Sequence, residues 1–455
     1  MEVIVKFYNK IIGLSVFVAL ASLGRGVHAT GFALIEQNAS GLGNSYAGAA
    51  AAAEDASTIF FNPAGMTRLP GRQFVGALHA ILPSAKFNNT GSTAAGGGFG
   101  LGGNGGNAGD LAAVPNLYLS WQLNPSWFAG IGVNAPFGLK TEYDAGWIGR
   151  FHALKSEIKS INVNPSIAFK VNDSFSLGGG INWMRTEAEI TKAINYTAVA
   201  QAAGLLAQVG LGSEGSNRIA GDDTAWGFNL GLLFNPQPNT TIGVSYRSAM
   251  KNTLSGSVVY ANRPAALTAN LANPLLAAQV GDSAINAKLK LPASYSFAVR
   301  HQVDQKWDVL FDATRTEWSS VQSLDIIRNT GATLESVPFE WKNTWRVGLG
   351  VNYRYSDAWT IRGGIAFDKS PVSDALRIPR LPDEDRKWLS IGAQYKLSKE
   401  GAIDFGYAHL FVKDSVVNLS GPPALTPQLV AGRGALVGNY NSQVNILSIQ
   451  YRHHF

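Results

Sequence analysis

The chain ends on an alternation. Counting back in twos from Phe455, Tyr451, Ile449 and Leu447 share its face, with His453 the exception. His454, Arg452, Gln450 and Ser448 hold the other face. Successive side chains of a strand point to opposite sides of the sheet, so one side here suits hydrocarbon and the other water. An alternation of lipid-facing and lumen-facing residues that closes on an aromatic marks the last strand of an outer-membrane β-barrel.

The same period recurs along the chain. Trp345, Val347, Leu349, Val351 and Tyr353 alternate with Thr344, Arg346, Gly348, Gly350, Asn352 and Arg354. Leu117, Leu119 and Trp121 alternate with Asn116, Ser120 and Gln122. Fourteen such segments are read, near 72–87, 112–123, 126–139, 156–171, 174–192, 223–235, 239–258, 285–303, 305–324, 340–355, 357–369, 386–398, 401–416 and 440–455. Tight turns such as Asn124-Pro125, Asn172-Asp173 and Ser356-Asp357 alternate strictly with long connections. A barrel with short periplasmic turns and long extracellular loops has this rhythm. The fold expected is all-β: a 14-stranded antiparallel transmembrane β-barrel with both termini on the periplasmic side. Trp121, Trp127, Trp307 and Trp359 beside short turns, and Trp226, Trp318, Trp341 and Trp388 nearer long loops, are expected to form two aromatic belts.

Before the first strand, Met1 to Ala29 reads as a secretory signal. Lys6 and Lys10 precede an apolar run from Ile11 to Leu23, and Val27-His28-Ala29 precedes the cut. That run is shorter than the ~20 residues of a spanning helix. Residues 30–71 read as neither strand nor signal. Phe32, Leu34, Ile35, Ile59, Phe60, Phe61 and Met66 would be costly to leave in water, which favours a plug over a loose tail. Residues 72–455 are then the barrel. The chain has no cysteine, so a closed hydrogen-bonded ladder must supply rigidity. A net charge of +6 is too mild to argue for nucleic acid. Catalysis lacks support: Gly281-Asp282-Ser283-Ala284 has no partnered His, and Gly98-Phe99-Gly100-Leu101-Gly102-Gly103 lacks a βαβ setting. His453 and His454 face opposite ways, so no metal and no cofactor are expected.

At this point the residues resemble the long-chain fatty acid transporter (FadL) family of outer-membrane proteins. The resemblance runs from Gly31 to Gly48 (GFALIEQNASGLGNSYAG) through Glu54-Asp55-Ala56 to Asn62-Pro63-Ala64. It continues at Val114-Pro115-Asn116, Phe137 to Tyr143, Trp226 to Asn229, Tyr246-Arg247-Ser248, Gly363 to Val372 and Pro382 to Ser390. These blocks span nearly the whole mature chain in order. The resemblance implies a plugged 14-stranded barrel with a lateral exit through a kinked strand, in the outer membrane of a Gram-negative bacterium.

The ligand so implied is an acyl chain with a carboxylate. Burial yields about 0.8 kcal/mol per methylene, so a pocket for a long tail would trap it without a movable gate. The hatch is the expected gate, with Asn62, Pro63 and Ala64 at its turn and Gly41 and Gly43 permitting motion or merely packing it. The apolar stretch 196–211 is expected to offer an extracellular groove through Val199, Leu205, Leu206 and Val209. In the family that groove faces the loop 140–155, hence Trp147, Ile148 and Phe151. A lumenal cation should hold the carboxylate. Lys342 and Arg346, on one parity with Thr344, are candidates, with Arg185 and Lys192 near a second family position. The kink is expected at Pro136, Phe137 and Gly138, since Pro removes a ladder bond and Gly permits a bulge. Expected partners are long-chain fatty acids or similar hydrophobes, outer-membrane lipid, and the barrel assembly machinery through the strand ending in Phe455; a monomer is expected. Carriage of aromatic hydrocarbons, or a structural, adhesive or phage-receptor barrel, stays open.

Overall fold

The computed structural model describes residues 31–423 and 425–455; the expected signal segment lies outside them. Fourteen spans close into one antiparallel barrel. They are β1 (Arg72–Asn89), β2 (Ala112–Gln122), β3 (Trp127–Asn134 and Gly138–Glu142), β4 (Lys155–Lys170), β5 (Phe175–Asn195), β6 (Glu214–Gln237) and β7 (Thr240–Arg247 and Met250–Ala261). Then follow β8 (Ser283–Leu291 and Ser294–Gln302), β9 (Trp307–Thr316 and Ser323–Arg328), β10 (Thr333–Pro338 and Thr344–Arg354) and β11 (Trp359–Asp368). β12 (Arg386–Lys396), β13 (Gly401–Val412 and Ser415–Leu419) and β14 (Leu436–His454) complete the wall. β1 pairs with β2 on one edge and with β14 along almost its full length on the other, so no edge strand remains.

Burial follows the parity of the sequence. On β14 Leu447, Ile449, Tyr451 and Phe455 are exposed, whereas Ser448 and Gln450 are buried. Cross-strand aromatic pairs sit at the short-turn end, among them Trp127–Phe169, Phe175–Phe234 and Trp359–Tyr395, with ring centroids 4.5–4.7 Å apart. Tyr246–Tyr295 at 4.8 Å and exposed Trp226 and Trp345 mark the other end of the apolar band. Trp318, Trp341 and Trp388 do not join that belt: all three are buried on the lumenal side. Trp318 carries the inward parity of Leu310 and Asp312 on β9, whereas Trp341 lies at the break in β10, which resets the two-residue phase. Trp388 lies on β12 with the inward parity of Arg386 and Ser390.

Gly31 to Gly71 fills the lumen as short helices and turns. Glycines in the wall let its backbone come close. A Cβ on Gly364 would lie 2.2 Å from the carbonyl of Asn44, and one on Gly231 would lie 1.9 Å from Asn62 Oδ1. Gly43 meets Gly392 in the same way, at 2.9 Å. Polar inward side chains bond the segment to the wall. Glu54 pairs with Arg362 (2.9 Å), which also pairs with the fully buried Asp404 (2.6 Å). Gln450 donates to Asp55 (2.8 Å).

A Gly364→Val barrel should still close, because its outward face is unchanged, but the segment should lose its seat. Expected is preserved heat-modifiable migration with protease cleavage within residues 31–71, which the unchanged barrel resists.

Candidate functional site

The wall is broken where β3 bends. Asn134 pairs with Asn162 and Gly138 with Lys159, so three residues of β3 oppose two of β4: a bulge of one residue. On its other edge the β2 ladder stops at Leu117–Val133. Backbone groups within lipid must be paired, and here side chains and the hatch pair them. Ser160 Oγ accepts from Phe137 N–H (2.9 Å) and donates to Phe137 O (2.6 Å). Asn116 Oδ1 accepts from Ala135 N–H (3.4 Å), while its Nδ2 donates to Glu36 O (2.8 Å). The hatch itself supplies a short strand: Leu34 N–H donates to Pro136 O (2.8 Å) and Gly138 N–H donates to Phe32 O (2.9 Å). Pro136, Phe137 and Gly138 thus lie where the hatch touches the wall.

This contact carries an aromatic cage. Phe32 packs on Trp318 (5.0 Å), Trp341 (5.7 Å) and Phe137 (6.0 Å). Above it Met184, Leu254, Val258, Ile285, Leu289 and Leu291 line an apolar interior. Beside it lies a cavity of about 150 Å³ bounded by Leu34, Phe61, Pro136, Phe137, Trp318 and Trp388, with Arg247 and Arg346 as its cations. Arg346 is buried, pairs with Asp312 (3.1 Å), donates to Ser45 O (2.5 Å) and lies 5.1 Å over the Trp388 ring. Its Nε has no partner among the described residues. Arg247 stacks on Phe60 (4.2 Å) and donates to Asn182 Oδ1 (2.5 Å) and Phe60 O (2.9 Å). Among the described residues its partners are all neutral.

The remaining nominated residues lie elsewhere. Lys342 does not share the lumenal face of Thr344 and Arg346: it is exposed. Residues 339–343 are not strand, and Glu340 takes a left-handed φ of 47°, so the parity does not carry across. Arg185 points outward, where it pairs with Glu187 (3.1 Å) and Asp222 (3.3 Å). Lys192 is buried against Glu335 (2.7 Å) beneath the extracellular loops. Trp147, Ile148 and Phe151 form loop core, not a groove wall. Trp147 stacks on Tyr143 at 3.9 Å, and Phe151 packs against Phe99 at 5.1 Å. The glycine-rich stretch 96–106 crosses over them and shuts out water. Val199, Leu205 and Val209 are half-buried against the interior apolar cluster, and Leu206 is half-buried beside them. Asn62 is fully buried; its Nδ2 donates to Ala50 O (2.7 Å) and Leu232 O (3.0 Å), and its Oδ1 caps Ala64 N–H (3.1 Å). Gly41 N–H is capped by Asn38 (3.0 Å). Among the described residues no three acidic or histidine side chains gather around a metal-sized site. Arg247 was not nominated from sequence. Its signal was parity, since it follows Gly243 and Ser245 on the lumenal face of β7.

Residues 20–455 match the family model described as "Outer membrane protein transport protein (OMPP1/FadL/TodX)". The chain belongs to this family. It is similar to the "Long-chain fatty acid transport protein" of Escherichia coli (strain K12), 28% identical over 418 residues, covering 88% of this chain and 92% of that protein. "Outer membrane protein P1" of Haemophilus influenzae is 30% identical, over 85% of this chain and 86% of its own. Among solved structures, a Pseudomonas aeruginosa FadL homologue superposes with a TM-score of 0.84 at 29% identity, covering 93% of this chain and 99% of that one. The Pseudomonas putida toluene transporter TodX, at 18% identity and a TM-score of 0.63, covers 88% and 94% and shares the fold. The protein is therefore a FadL-family transporter of hydrophobic compounds in the outer membrane.

Glu36 sits in the hatch two residues from Leu34, buried, and its Oε2 has no partner among the described residues. Burial pushes its carboxyl up to about 7, against the pull of Arg386 and Arg346. A released hatch would carry an ordinary carboxyl near 4.5. The docked state then holds a proton that the released state loses. Docking is strongest below the ordinary carboxylate range and weakens as pH rises to about 7. Protection from hydrogen exchange at residues 32–38, taken relative to the unstructured rate at each pH, should fall over that window, and Glu36→Gln should make it independent of pH.

Proposed function

We propose that the protein carries long-chain fatty acids, with the hatch as gate and the β3 bulge as lateral exit. The observation that supports this is the seat of Phe32: an apolar side chain in an aromatic cage, on the same hatch residues that complete the β3 ladder. An acyl chain descending through the apolar interior competes with Phe32 for that cage. Displacing Phe32 also removes the two backbone bonds to Pro136 and Gly138, so ligand binding and opening of the wall become one event. The chain then leaves sideways into lipid, where its methylenes stay buried throughout. Capture begins on the half-buried apolar residues of the outer loop, Val199, Leu205, Leu206 and Val209.

The carboxylate is met by Arg247, with Arg346 across the cavity. Arg247 has only neutral partners, so an arriving carboxylate breaks no existing ion pair. Arg346 is already held by Asp312 and Ser45, and serves as the second cation. Neutral aromatic hydrocarbons would gain nothing from either guanidinium.

Labelled palmitate binding to the purified barrel tests this, with toluene as competitor. Arg247→Gln should weaken palmitate about tenfold or more, the worth of one charged hydrogen-bonded contact, and leave toluene unchanged. Phe32→Ala should bind palmitate more tightly, because the competing side chain is gone. Palmitate binding indifferent to Arg247, with toluene competing fully, would move the assignment to neutral hydrocarbons.

A further inference from the structure

The outer wall of β7 and β8 carries a feature that transport leaves unused. Lys251, Lys288 and Lys290 are exposed on outward positions of two hydrogen-bonded strands. Lys251 stands directly opposite Lys290, and Lys288, opposite Thr253, is its diagonal neighbour. Like charges directly opposite destabilise a ladder. None of the three forms an ion pair among the described residues. The surrounding carboxylates are otherwise engaged or set apart. Asp222 is held by Arg185 (3.3 Å), and Asp223 accepts from Thr253 N–H (2.5 Å). Asp325, exposed on β9 where the register with β8 continues beside Lys288, accepts from Ser323 Oγ (2.6 Å) and from Ser336 Oγ. A further exposed cation, Arg315, stands between its register partners Tyr295 and Trp345.

The height of the lysines is informative. The Tyr246–Tyr295 pair marks the aromatic belt on the long-loop side. Lys251 lies five residues beyond Tyr246, and Lys290 five before Tyr295. Five residues of a tilted strand rise roughly 12 Å, which leaves the hydrocarbon and enters the layer of phosphates and the sugars bonded to them. Lysine stems can dip to meet those phosphates.

We propose that this wall binds the phosphorylated sugar headgroup of an outer-leaflet glycolipid. The lysines would meet its phosphates from above and Arg315 from the belt. The array is spread in height: Arg315, level with Tyr295, stands roughly 12 Å from the lysines, farther than one phosphate can bridge. A sugar headgroup carrying two phosphates matches it, and a lipid with a single phosphate does not.

The test uses the full barrel in phosphatidylcholine nanodiscs doped with bisphosphorylated lipid A, with native mass spectrometry counting the lipid retained. The wild type should keep lipid A, and the triple variant Lys251→Gln, Lys288→Gln, Lys290→Gln should keep about tenfold less. Single Lys290→Glu should shift retention the same way, and Lys387→Gln, an exposed lysine on β12, should not. Dephosphorylated lipid A should be held no better by the wild type than by the triple variant. Equal retention of bisphosphorylated lipid A by wild type and triple variant would overturn the proposal, as would phosphatidylglycerol retained as well as lipid A. Heat-modifiable migration checks that each variant is a closed barrel.

Discussion

A wall in lipid has no water to turn to, so each backbone N–H and C=O must find a partner inside the protein. Most of this barrel meets that demand by strand pairing and by closure of β1 on β14. The bulge in β3 cannot. There the ladder to β2 stops at Leu117–Val133, although β2 itself runs on to Ala112, and one extra residue leaves the ladder to β4. Ser160 satisfies both polar groups of Phe137, Asn116 serves Ala135, and the hatch supplies Phe32 to Leu34 in place of a strand. The hatch is thus part of the wall at one place and filler everywhere else.

That double role explains the chemistry of the rest of the lumen. A segment that must stay seated needs close approach, and the wall gives it glycine at Gly231, Gly364 and Gly392. It also needs polar groups matched inside a low-dielectric space. Arg362 meets Glu54 and Asp404 together, so the buried guanidinium faces two carboxylates. Removing one partner of such a set is costly because the other is left buried without its match. The anchors gather towards the periplasmic end of the hatch, around Glu54, Asp55 and Asn62. At its start Gly31 N–H donates to the buried Asp383 (2.9 Å), whereas Phe32 to Leu34 meet the wall through apolar packing and two backbone bonds.

The strands were legible because a lipid-facing wall enforces a period of two. All fourteen spans lie where the alternation placed a strand, although β6 begins at Glu214 and β10 at Thr333, ahead of the starts read near 223 and 340. Legibility ended wherever the period was interrupted. Six spans are broken, and across several breaks the inward parity shifts, as from Gly243 to Met250 on β7, although β9 keeps it from Leu310 to Ile326. Lys342 was projected inward from Thr344 and Arg346 across the irregular stretch before β10, and it faces solvent instead. Trp318 and Trp341 were assigned to a belt by their distance from a turn, yet Trp318 keeps the inward parity of β9 and the break in β10 carries Trp341 into the lumen. The loops failed for another reason. That Trp147, Ile148 and Phe151 pack beneath the stretch 96–106 is a contact between separate loops, which no local pattern encodes. Arg247 sat on a clean strand with readable parity. What sequence could not reveal was that its neighbours would be neutral, which sets it apart from Arg346 and Arg362.

The seat of Phe32 also bears on how a transporter avoids becoming a trap. A long acyl chain buried in an empty apolar pocket would be held by roughly ten kcal/mol. A pocket already filled by the protein's own side chain changes that. The ligand gains its contacts only as Phe32 gives up its own, worth about 3 kcal/mol at most, so the net affinity is reduced by that amount. The two backbone bonds lost at Pro136 and Gly138 reduce it further, by about 1 kcal/mol each. Once the wall is open, the bulk lipid offers the chain the same apolar surroundings with no such costs. On this proposal the hatch works as an internal competitor, and the direction of movement follows from whichever side holds the ligand at higher activity.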